Sequence, residues 1–171
     1  MIDKMVNSTS FVLGDQSLDY MFDTEIIPKT INQGENIIYF RNNIFPDGSE
    51  KKFGTDYQIP GNTLGLLPMG HYFKFLGFGY DFEMESSVDD INKIRNSSNI
   101  VVIVGGQFLA IEAPLKWFSW IVDKPILDIY NVKLPPQTAF KVELRFNNKE
   151  NLSKDVKFGL IIKSDHYSSI R

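Results

Sequence analysis

The stretch Asn99–Pro114, NIVVIVGGQFLAIEAP, constrains the fold more than any other part of the chain. Ile100–Val104 is an unbroken run of β-branched residues, and Gly105-Gly106 then offers two positions that accept positive φ without steric cost. Gln107–Glu112 is a second apolar segment, so the whole reads as a hairpin with a tight glycine turn. The first arm is apolar on both faces, which places it inside a sheet and requires cover on each side. A lone hairpin cannot bury itself in this way, so the rest of the chain must wrap it.

The remaining segments supply such a wrapping. Ser10–Leu13 is a candidate first strand within an N-terminal arm at residues 1–16, followed by Tyr20–Ile27, which Pro28 stops, and by Asn36–Arg41. Asn42–Asn62 is rich in Asn, Gly, Pro, Asp and Lys and reads as a long loop with Lys51 and Lys52 near an exposed tip. Thr63–Gly70 is a short apolar piece cut by Pro68. In His71–Glu85, Phe73 and Phe75 share one phase, and Tyr80, Phe82 and Met84 alternate with Asp81, Glu83 and Glu85. Gly77 and Gly79 between the two halves predict a bulge or bend. Ser86–Asn96 is the best helix candidate: Ser87 can cap it, Asp89 and Asp90 lie in its first turn, and Val88, Ile91 and Ile94 share a face.

Downstream, Leu115–Ile121 carries both tryptophans and fits neither the helical nor the strand period. Ile126–Tyr130 is an expected strand, and Thr138–Phe146 is the cleanest amphipathic one: Phe140, Val142, Leu144 and Phe146 alternate with Lys141, Glu143 and Arg145. Val156–Lys163 is the last strand, with His166 in a solvated tail. About eight to ten strands with frequent turn signals indicate an all-β protein. The chain has fourteen Phe but only three Ala, which favours strands over helices. The expected fold is an antiparallel two-sheet sandwich of single jelly-roll type with one short helix, residues 1–171 forming one domain.

Chemistry is harder to place. Cysteine is absent, which excludes disulfides and thiolate chemistry, and no G-x-S-x-G elbow occurs. The two histidines, His71 and His166, are far apart in the chain and cannot build a metal site of the cupin kind. Asp89-Asp90 serve as helix N-terminal charge, and Glu83 and Glu85 as the wet face of a strand, rather than as paired catalytic acids. Gly105-Gly106 lacks the Lys, Ser or Thr of a phosphate loop. A net charge of −3 provides no field for direct nucleic-acid binding, and no apolar run is long enough for a membrane span. The expectation is a protein without enzymatic activity, metal or cofactor. Trp117, Phe118 and Trp120 cannot all face one core; the alternatives for them are core, an anchor patch for a neighbouring subunit, or a sugar-binding platform. Together with Lys51 and Lys52 they are the candidate subunit-contact residues.

IVVIVGGQFLAIEAP, the later LPPQTAFKVELRF and the closing VKFGLIIKSDHYSSIR, spanning about residues 64–171, resemble a layout seen in small structural proteins of bacteriophage particles. The resemblance implies a jelly-roll capsid protein of a tailless icosahedral phage. Major shell proteins of that lineage usually carry two rolls, and this length allows one, which points to a penton or minor shell protein. Its partners would be copies of itself and other capsid proteins, and its place the virion, after synthesis in the host cytoplasm. The alternative is a receptor- or carbohydrate-binding sandwich on a phage spike or fibre.

Overall fold

The structure is a computed structural model that describes residues 13–59, 69–105, 108–118, 133–134 and 137–169. In chain order the elements are β1 (Leu13–Ile27), β2 (Thr30–Ile31), β3 (Asn36–Tyr39), β4 (Tyr57–Gln58), β5 (His71–Phe82), α1 (Val88–Ser97), β6 (Ser98–Val104), β7 (Phe108–Pro114), a 3-10 turn at Leu115–Trp117, β8 (Lys133–Leu134), β9 (Phe140–Phe146), β10 (Glu150–Asn151) and β11 (Val156–Ser169). One sheet runs β4-β1-β11-β5-β8, a second runs β3-β9-β6-β7, and β10 pairs with β2 in a small ribbon.

The pairings are nested about one turn. β6 pairs with β7, β5 with β8, β3 with β9 and β1 with β11, all antiparallel, so the chain is a long hairpin folded about Gly105. Lateral pairs β11–β5 and β9–β6 then split this hairpin into two sheets. That nesting is the jelly roll. The glycine hairpin sits at its centre as expected: Gly105 adopts φ +66°, and β6 lies between β9 and β7 with Ile100 through Ile103 buried.

The core forms where the two sheets face each other. Met21 and Ile27 of β1, Phe158, Leu160 and Ile162 of β11, and Phe140, Val142, Leu144 and Phe146 of β9 all point inward. Phe75 of β5 meets Phe140 of β9 edge-on at 6.1 Å between centroids, and the Tyr39 hydroxyl donates to the Phe158 carbonyl at 2.9 Å, which ties the sheets together. Burying an aromatic hydroxyl here is affordable only because that hydrogen bond is made.

Bulging shapes β5. Ser164 pairs with Phe75 and Lys163 with Gly77, which leaves Leu76 unpaired on the β5 side. The extra residue flips the phase, so Phe73 and Phe75 before it and Phe78 and Tyr80 after it all reach the core. β5 stops at Phe82, where the Ser86 amide closes a turn onto the Glu83 carbonyl at 2.9 Å. Met84, expected in the buried phase, is therefore fully exposed, and Glu83 and Glu85 belong to a turn, not to a strand face.

Helix α1 follows the sequence closely. Ser87 is its N-cap, its hydroxyl accepting from the Asp90 amide at 3.0 Å, and Ile91 and Ile94 are buried. Val88 is not on that face; it stands exposed in the first turn. Asp90 does more than add N-terminal charge: its carboxylate accepts from the Ser153 amide and hydroxyl, fastening the helix to the turn before β11. β1 and β11 run further than the sequence suggests, each lending the other its ladder as far as Leu13 and Ser169. His166 consequently lies within β11, stacked on Phe73 at 4.4 Å, and not in a solvated tail. The expected strand at 126–130, the segment 63–68 and residues 1–12 lie outside the described residues.

Candidate functional site

Alternation along β1 puts Met21, Asp23, Glu25 and Ile27 on the face that looks into the sandwich. Two carboxylates two residues apart in an apolar interior are untenable without a counter-charge. The loop after β3 supplies it. Lys51 Nζ donates to Asp23 Oδ1 at 2.8 Å and also to Glu25 Oε1, and Lys51 is only 6% exposed. Asp23 Oδ2 accepts from the Phe40 amide at 2.7 Å. Phe40 itself is buried at φ +64°, a left-handed conformation that costs a bulky residue energy and is held by that bond and by packing on Phe140.

The charges are unbalanced: two acids share one ammonium. Burial pushes the Glu25 carboxyl up to about 7, against the pull of Lys51, and Asp23 adds to the rise. Burial also raises Asp23, opposed by Lys51 and by the Phe40 and Thr24 amides. Tyr39 is held well above its ordinary range by burial and by the neighbouring carboxylates, so its hydroxyl stays a neutral donor.

Lys51 is thus not an exposed contact residue, as its place in a polar loop suggested. The acids of β1 draw it inside, and its neighbour Lys52 remains exposed. The sequence signal was present, since Asp23 and Glu25 share the phase of Met21 and Ile27. Phe22 and Ile26 are apolar in the opposite phase, however, so alternation alone could not say which face was core.

The other contact candidates separate. Phe118 is buried, edge-on to Phe78 at 5.8 Å. Trp117 is 46% exposed, because the 3-10 turn after Pro114 points Leu115 inward and the indole outward. Trp120 lies outside the described residues. Exposed apolar side chains also occur at Ile44 and Phe53 on the loop that carries Lys51, and at Met84 and Val88 around the start of α1. On the outer face of the second sheet, Glu143 is buried between Lys141 at 2.6 Å and Arg145 at 2.8 Å, a clasped charge rather than a free acid.

Among the described residues no group of three or more His, Cys, Asp or Glu is arranged to hold a metal ion, and no helix is long and apolar enough to cross a membrane. What the described residues offer is a buried charge clasp on β1 and dispersed apolar surface. No protein-family profile matches the chain, and comparison with curated proteins gives no match.

Proposed function

We propose that the chain is a structural protein of a virus particle, a single jelly-roll penton or minor capsid protein that assembles with copies of itself and with other shell proteins. The observation that carries this reading is the nested strand order about Gly105, two sheets of β1-β11-β5-β8 and β3-β9-β6-β7, the order of a jelly roll. The likeness of about residues 64–171 to phage structural proteins adds the virion to that fold. A fold alone does not name a function, so the likeness is an essential support. Trp117, next to β7, and Phe53 and Lys52, on the loop beside β1 and β3, are exposed at opposite edges of the sheets, where neighbouring subunits would cover them.

Native mass spectrometry of the purified chain over a rising concentration series tests the reading. A closed symmetric oligomer is expected, weakened by Trp117→Ala or Phe53→Ala with the fold intact by circular dichroism. A chain that stays monomeric throughout, and is missing from purified particles, overturns it. The exposed indole of Trp117 would also suit stacking on a sugar, and a glycan array that gives hits lost on Trp117→Ala favours the spike or fibre alternative.

A further inference from the structure

The loop between β3 and β4 does more than connect them. β1 and β3 are neighbouring margins of the two sheets, linked where the Phe40 amide reaches Asp23, and β4 adds to the outer edge of β1 through Phe22–Gln58 and Asp23–Tyr57. Residues 41–58 therefore close one open side of the sandwich, and Lys51 is their charged anchor within it. We propose that this loop is a proton-controlled clasp: Lys51 holds it shut by sharing Asp23 and Glu25, and the closed state favours only one of the two acids in charged form.

Among the described residues the groups around the clasp are few, and β4 adds the buried Tyr57 opposite Asp23. β1 contributes Asp23 and Glu25, the loop contributes Lys51, and β3 contributes the neutral Tyr39 hydroxyl, already committed to the Phe158 carbonyl. Lys157 of β11 lies over the Phe45 ring at 5.0 Å, while Lys51 stands 5.5 Å from the same ring. The Asp56 carboxylate is turned to the Lys52 amide at 2.7 Å. The cluster itself thus holds two negative groups and one positive one. Asp23 has the backbone amide of Phe40 to support its charge besides Lys51, so Glu25 is the acid that takes the proton.

The sign follows from linkage. Glu25 is raised to about 7 in the closed state and returns to the ordinary carboxylate range when the loop opens. Closing binds a proton between those values, so the clasp is tightest in mild acid and loosens as pH rises to neutrality. Its opening constant should grow about tenfold per pH unit in that window and level off above it. Opening would expose Phe45 and Tyr57, which the closed loop buries, so the side chains that the loop presents depend on pH. This holds whether or not the chain assembles.

Hydrogen-exchange mass spectrometry of the full chain, on peptides covering residues 41–58 and corrected for the intrinsic pH dependence of exchange, reads the opening equilibrium. The wild type should lose protection by about 40-fold between pH 5 and pH 7. Glu25→Gln should flatten that profile and keep the loop protected at neutral pH, whereas Asp23→Asn should keep the slope and only end it at a somewhat lower pH, since burial rather than Asp23 is the larger cause of the rise at Glu25. A flat wild-type profile overturns the proposal without any variant, as does a slope that survives in Glu25→Gln. Should neither variant fold, the wild-type profile decides.

Discussion

Asp23 and Glu25 occupy positions that strand alternation reserves for apolar side chains, and the fold accommodates them by folding Lys51 in from a polar loop. A buried ion pair gains little over well-packed apolar groups, but breaking one by removing a single partner is costly. Lys51→Met should therefore destabilise the protein by about 3–5 kcal/mol in urea denaturation, since it leaves two carboxylates facing each other in the core. Lys52→Ala, one residue away on the exposed side, should stay within about 0.5 kcal/mol. Equal small effects would mean that Lys51 is not the anchor of its loop. This is also where the sequence was least readable. A lysine in a segment of Asn, Gly, Asp and Pro looks solvated, and only the three-dimensional approach of β1 shows otherwise. Phe40 is a similar case, because nothing local announces that a phenylalanine will sit at φ +64°.

Elements fixed by short-range chemistry were the most legible. The α1 cap, the positive φ of Gly105 and the alternation of β9 all depend on residues within a few positions of one another, and the structure places each of them as the pattern implies. The phase of β5 was half legible: Gly77 and Gly79 signalled a bulge, but the break in the strand at Glu83 depends on a turn, and so Met84 was assigned to the wrong side. The helix cap gives a direct test. Ser87→Ala removes the acceptor for the Asp90 amide and should cost about 1 kcal/mol in thermal or chemical unfolding. Asp90→Asn should cost more than the cap alone, because the Asp90 carboxylate also holds Ser153 and so fastens α1 to the chain entering β11. If both substitutions are silent, α1 is a surface ornament and not a tie between the two halves of the roll.

At the scale of the molecule, the all-β class, the central hairpin and the jelly-roll type were legible, while the residue-by-residue pairing of distant strands was not. No local pattern tells β11 to lie between β1 and β5, since that choice joins segments from opposite ends of the chain, Leu13 opposite Ser169. The nested order carries a consequence for folding. The β6–β7 pair closes a short turn and loses little entropy, whereas β1–β11 must close almost the whole chain before its ladder forms. Folding should run outward from Gly105, with refolding in the millisecond-to-second range expected of non-local β topologies, read by stopped-flow tryptophan fluorescence. Truncation gives the sharper test. Ending the chain at Asp155 removes β11 from between β1 and β5, strips Phe158, Leu160 and Ile162 from the core, and leaves the Tyr39 hydroxyl without its acceptor. The shortened chain keeps every residue of β3, β9, β6 and β7, yet a sheet with one apolar face and no opposing layer cannot bury it. It should show no cooperative melting transition and little dispersion in its amide NMR spectrum. A cooperative transition in that fragment would mean that the second sheet folds on its own and that the closing strand pair is an addition to the roll, not a condition for it.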